Sequence, residues 1–191
     1  MDIYIAAIAL LALMIPRAQA QGVSIHMHSG EGYAADGVLF EPASGQSPFP
    51  ALLLIPDEHG VTQLVTDTAQ DLSAAGYFVT VVDLNRGQPP DVAKHSSEQA
   101  VHDLNAALSF LAKQSWVRHD CVGALGWQSG GTYALKLAAA DPKICAVVVW
   151  GAVPSLDRAA VHAAVMVSEV DAKHLHASTL TFLKAHLADR H

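Results

Sequence analysis

Apolar and polar positions along the chain follow two periods in turn. Val23–His28 and Tyr33–Phe40 alternate around Gly30-Glu31-Gly32, which predicts a β-hairpin. Ala51–Ile55 is an unbroken apolar run between Pro50 and Pro56, the pattern of a strand covered on both faces, and the Pro-, Ser- and Gly-rich stretch 41–50 before it predicts a surface loop. Gln63–Ala75 switches to helical spacing, with Leu64, Val65, Ala69, Leu72 and Ala75 on one side and Gly76 placed to end it. Tyr77–Val82 predicts a further buried strand, and Ser97–Lys113 a second amphipathic helix with Ser97 as its N-cap. An apolar strand opened by Cys121 runs to a glycine-flanked corner and on into a helix over Thr132–Ala140. Cys145–Trp150 and Ala163–Val167 predict two more strands, and Ala177–Ala188 a closing helix. Strand and helix in succession predict an α/β architecture: a mostly parallel sheet with helices on both faces.

The corner is the most informative stretch. In Gly126-Trp127-Gln128-Ser129-Gly130-Gly131, glycines two before and two after Gln128 match a G-x-S-x-G nucleophile elbow, where small residues let strand and helix backbones approach. In this frame Gln128 crowns the bend, and its amide cannot form an acyl-enzyme. Sliding the frame by one makes Ser129 the nucleophile but puts Trp127 where a small residue belongs. A plain strand-to-helix turn with glycine for packing is the structural alternative. In parallel sheets ligands bind beyond the carboxyl ends of the strands. The residues expected there are Asp57, Glu58 and His59, then Asp83 and Arg86, Gln128 and Ser129, Pro154, and Glu169 with Asp171.

Composition narrows the function classes. At 191 residues, 51% hydrophobic and 15% charged, the chain fits one domain over residues 21–191 with a sizeable core. A net charge of −7 without a Lys/Arg stripe argues against a nucleic-acid partner. Ile3–Ile15 is apolar but shorter than the ~20 residues of a spanning helix, and Ala18-Gln19-Ala20 follows as a small-x-small cleavage pattern. Residues 1–20 therefore predict a secretory signal and an exported, periplasmic or secreted, protein. An uncleaved leader, the only expected link to a membrane, is the alternative, since Asp2 stands where a cation is usual. In an exported chain Cys121 and Cys145 matter: if their strands are parallel neighbours, both sulfurs lie near one end of the sheet, within reach of a disulfide. Two free buried thiols acting as small apolar groups are the other reading.

Taken together, Ala51–Gly60, Ala74-Ala75-Gly76-Tyr77 leading to Val82-Asp83-Leu84, and the Gly126–Gly131 elbow resemble the dienelactone hydrolase-like family of the α/β-hydrolase superfamily. The resemblance covers about Val23 to Asp171 plus the terminal helix, with an abbreviated C-terminal part. It implies a Cys-His-Asp triad that hydrolyses small esters or lactones, with no cofactor and no metal. Gln128 occupies the cysteine position, the acid maps to Asp171, and His174 or His176 is the candidate base. Asp57 falls where the family carries a glutamate near its nucleophile. Backbone N–H groups of Ser129 and Glu58 are the candidate oxyanion donors, and they do not depend on side-chain identity.

Two function classes follow. One is a hydrolase of small esters or lactones, acting through Ser129, His174 or His176, and Asp171, or by direct attack of water. The other is a non-catalytic exported binding or accessory protein on the same scaffold, whose ligand is a small ester, lactone or carboxylate. Metal binding by His26-x-His28 and His174-x-His176 is a third, weaker reading, since two ligands do not close a site.

Overall fold

The computed structural model describes residues 21–28, 32–89, 92, 96–151, 161–168 and 177–188 of the chain. The predicted leader, Pro154, Glu169, Asp171, His174 and His176 lie outside them. The hairpin forms as β1 (Val23–His28) and β2 (Ala34–Phe40), paired antiparallel with Val23 opposite Leu39. The strands β3 (Phe49–Ile55), β4 (Phe78–Asp83), β5 (Val117–Trp127), β6 (Ile144–Trp150) and β7 (Ala164–Ser168) run parallel. The seven strands form one sheet of order β1-β2-β4-β3-β5-β6-β7. β3 is followed on one side by β4 and on the other by β5, so the chain reverses its direction of travel across the sheet there. That switch point opens a crevice at the carboxyl ends of β3 and β5.

Helices cover both faces, as the succession of elements predicts. α1 (Gln63–Ala74) buries Val65, Ala69 and Leu72 on one face. The helices α2 (Ser97–Leu111) and α3 (Ser129–Ala140) bury Leu104, Leu111, Leu135 and Leu137 on the other. A last helix α4 (Ala177–Leu183) passes into a π-helical turn, Lys184–Ala188, and buries Leu183 and Leu187 on the α1 side. The β3 run Leu52-Leu53-Leu54-Ile55 is wholly buried and feeds both layers alternately. At about 1.5–3 kcal/mol for each such side chain, this strand anchors the sheet.

Several boundaries differ from the sequence expectation for identifiable reasons. β3 starts at Phe49, inside the expected loop, because Phe49 pairs with Val117 across a register shift, and the same pairing extends β5 back to Val117. The N-cap of α2 is Ser96 rather than Ser97: its hydroxyl accepts the Gln99 N–H, which puts Ser97 inside the first turn. α3 starts at Ser129 rather than Thr132, since close packing of Gly130 and Gly131 outweighs their poor helix propensity. Ala75 caps α1 and Gly76 follows at φ +97, a left-handed position that suits glycine.

Cys121 and Cys145 are bridged, with Cα atoms 5.4 Å apart, and the reading as two free thiols is set aside. The reason is register: Val122 lies opposite Ile144 on neighbouring strands, so the two cysteines flank that pair on the face covered by Leu183 and Leu187.

Candidate active site

The bend after β5 carries Gln128 at φ 46 and ψ −112, a conformation that side chains other than glycine rarely adopt. Its N–H donates to the Trp150 carbonyl at 2.9 Å, tying the corner to the end of β6. The glycines on either side are required sterically. A Cβ on Gly126 would lie 2.4 Å from the Gly130 carbonyl carbon, and one on Gly130 would lie 2.1 Å from the Ile55 oxygen. Strand, helix and the neighbouring strand end are thus pressed together around Gln128, and the amide, not the Ser129 hydroxyl, stands at the strained position. Trp127 sits in the apolar layer against Trp150, ring centroids 4.7 Å apart, where a close-approach position could not accommodate it.

Gln128 does not cap its own helix. Its amide lies over Gly151, where an added Cβ would come within 2.6 Å of Nε2. Ser129, the first residue of α3, donates its hydroxyl to Glu58 Oε2 at 3.1 Å. The backbone N–H of Glu58 itself, followed by this Ser129 bond, holds the Glu58 carboxyl below the usual carboxylate range, with the neighbouring His59 adding to the effect. One of the two expected oxyanion donors is therefore shared with the carboxylate of its own residue.

The first loop is braced from below and from the side. Asp57 accepts the His59 N–H at 3.0 Å in an Asx-type turn, and its carboxylate also meets His59 Nδ1 at 3.2 Å. Asn85, buried after β4, donates to the Glu58 carbonyl at 3.0 Å. Asp83 accepts the Asn85 and Gly87 N–H groups, and Arg86 pairs with the fully buried Asp103 of α2 at 2.6 Å. Arg86 is thereby engaged in the fold rather than presented to a ligand.

Glu58, Ser97, Gln128, Ser129, Thr132, Tyr133 and Lys136 line an open depression of about 460 Å³. Its floor is the elbow. Its anion is Glu58 and its cation Lys136, which lies 5.7 Å from the Tyr133 ring centroid. Sequence reasoning missed Ser97, Thr132, Tyr133 and Lys136; the helical spacing of Ser129, Thr132, Tyr133 and Lys136 on α3 was the available signal. Asp171, His174 and His176, the expected acid and base, lie outside the described residues. Asp57, Glu58 and His59 offer ligand atoms within 4.8 Å of one another, the described group that comes nearest to a metal-ligand set. These are adjacent polar groups of one loop, with Asp57 bonded to His59 and Glu58 to Ser129. His26 of the His26-x-His28 pair contacts Asp36 on β2 instead.

The Dienelactone hydrolase family matches residues 35–174, and the chain belongs to it. It is thus a member of a hydrolase family with the α/β-hydrolase fold. A Bradyrhizobium sp. protein named "Probable 2-oxo-3-(5-oxofuran-2-ylidene)propanoate lactonase" is 35% identical over 106 residues, which make up 50% of this chain and 42% of that protein. The chain spans less than half the length of the curated relatives it matches. A dienelactone hydrolase-like promiscuous phosphotriesterase from metagenomic libraries superposes with a TM-score of 0.66 at 20% identity, over 88% of this chain and 76% of that one. Brefeldin A esterase, a bacterial homologue of human hormone-sensitive lipase, gives 0.56 at 18% identity over 72% and 41%. Identities this low establish a shared fold.

Proposed function

We propose that the protein binds small esters, lactones or carboxylates in the elbow depression without forming an acyl-enzyme there. The observation that carries this reading is Gln128 at φ 46 on the corner where the family's nucleophile belongs. An amide at that point can hydrogen-bond a carbonyl or carboxylate but has no proton to lose to a base and no group to acylate. Ser129, one residue along, directs its hydroxyl at Glu58, and a carboxyl held below its usual range is a weak base for activating it. Slow hydrolysis by directly attacking water is the second reading, favoured by the family membership. Without covalent catalysis it retains only orientation and electrostatic stabilisation, ~10³–10⁴-fold over water by the triad-deletion precedent. Export is part of the proposal, and the bridged Cys121–Cys145 pair supports it, since such bonds persist in oxidising compartments.

The test incubates the mature protein with p-nitrophenyl acetate and with dienelactones from pH 5 to 9, followed by intact-mass spectrometry and by amide NMR. We expect no acyl adduct, no burst, and ligand-dependent shifts at Gln128, Ser129 and Lys136. A stoichiometric adduct on Ser129 would overturn the reading. Gln128→Cys separates the components further: if it gains an acyl adduct and turnover, the surrounding site is competent and only the nucleophile was missing.

A further inference from the structure

A second pocket lies at the opposite end of the sheet. Glu41, Pro42, Phe49, Phe78 and Trp116 line an open pocket of about 330 Å³ where β3 and β4 begin. β3 runs seven residues from Phe49 to Ile55, so this pocket and the elbow are about 20 Å apart along the strand. Two contacts fix its walls. Phe49 N–H donates to the Trp116 carbonyl at 2.8 Å, joining the loop after β2 to the turn before β5. Ala43 N–H donates to the Ser73 carbonyl at 3.3 Å, joining the same loop to the end of α1. The pocket is therefore preformed by backbone bonds between three separate segments.

Its chemistry is specific. Trp116, 45% exposed, and the partly buried Phe49 supply the aromatic surface, while Phe78 is wholly buried. Glu41 stands at the rim, and among the described residues its carboxylate has neither an ion pair nor a hydrogen bond. Aromatic surface beside an unpaired carboxylate attracts an organic cation: the ring quadrupoles favour a diffuse positive charge, the apolar walls favour its methyl groups, and the carboxylate supplies the counter-charge. The net charge of −7 reinforces the attraction. We propose that this pocket binds a small organic ammonium ion, of the quaternary or methylated amine class, independently of the elbow.

Choline is the probe, and 3,3-dimethylbutan-1-ol its neutral isostere of nearly equal shape. Binding is read by isothermal titration calorimetry of the full chain and of each variant, with NMR at the Trp116 indole N–H of the unsubstituted protein placing it in this pocket. We expect choline to saturate and the isostere not to, with Glu41→Gln and Trp116→Leu each weakening choline by roughly tenfold. Thermal melts confirm that both variants are folded; should Trp116→Leu not fold, Glu41→Gln together with the isostere decides. Equal binding of choline and its isostere would show an apolar groove only and overturn the proposal. Absence of saturable choline binding, or choline binding untouched in Glu41→Gln, would overturn it too. Gln128→Cys, at the other end of the sheet, should leave choline binding unchanged.

Discussion

Asn85 Nδ2 donates to the backbone carbonyl of Glu58 at 3.0 Å, so the turn after β4 holds the loop after β3 in place. The same amide packs beneath Gly60, where an added Cβ would fall 2.7 Å from Nδ2. Asn85→Ala leaves a carbonyl without its donor and a space beneath the loop. A loss of about 1–3 kcal/mol in urea unfolding is expected, with amide shifts spreading from Glu58 to Ser129. Shifts confined to residues 83–87 would show that the brace does not reach the elbow.

The Glu58 carboxyl is the described group at the elbow whose titration the fold alters. Its folded pKa is lowered, so its stabilising contribution is present above the unfolded value and is lost as pH falls through the folded one. Because Glu58 is exposed, that contribution to stability is small, and its titration is the better readout. Ser129→Ala removes one of the groups responsible, and the Glu58 carboxyl carbon should titrate closer to the ordinary glutamate value in NMR. An unchanged midpoint would leave the Glu58 backbone N–H, with the neighbouring His59, as the cause.

Asp103 is fully buried on α2, with one oxygen taking Arg86 Nη2 at 2.6 Å and Gln99 Nε2 at 2.8 Å. Its other oxygen has no partner. Asp103→Ala leaves the Arg86 guanidinium, 43% exposed, without its counter-ion. Removing one partner of a buried pair costs about 3–5 kcal/mol, and the solvent access of Arg86 puts the expectation at the lower end. Asp103→Leu restores apolar contact and should recover part of the loss. If both variants unfold at the wild-type urea midpoint, the pair contributes nothing net.

Gly130→Ala tests the elbow's compression. The added Cβ would meet backbone oxygens of Ile55 at 2.1 Å and Pro56 at 2.5 Å, atoms that cannot swing aside. We expect a loss of about 3 kcal/mol or failure to fold. Gly151→Ala meets only the flexible end of Gln128, although at φ +101, so it should cost about 1–2 kcal/mol and move the amide. The order of the two losses, measured by thermal melts, is the check.

The Cys121–Cys145 bridge closes a separation of 24 residues. Loop-closure entropy puts its contribution at about 3.5 kcal/mol. Cys121→Ala with Cys145→Ala should lower the urea midpoint accordingly while leaving the elbow resonances in place. The bridge joins the middle of β5 to the start of β6, six residues before Trp127 at the elbow, so elbow shifts as large as those around Leu183 would contradict this separation.

The sequence by itself determined the succession of strands and helices, the family, and the identity of the residue at the elbow. Continuous apolar runs such as Leu52–Ile55 have no stable position except between two layers, and the spacing of Gly126 and Gly130 admits one corner residue between them. Tertiary structure alone decided the rest. The pairing of Phe49 with Val117, the bridge between the cysteines, the turn of Ser129 toward Glu58 and the placing of Glu41 and Trp116 around one pocket all join segments distant in the chain. Local periodicity fixes which face of an element is apolar, whereas register and loop placement depend on packing across elements, which no local pattern encodes.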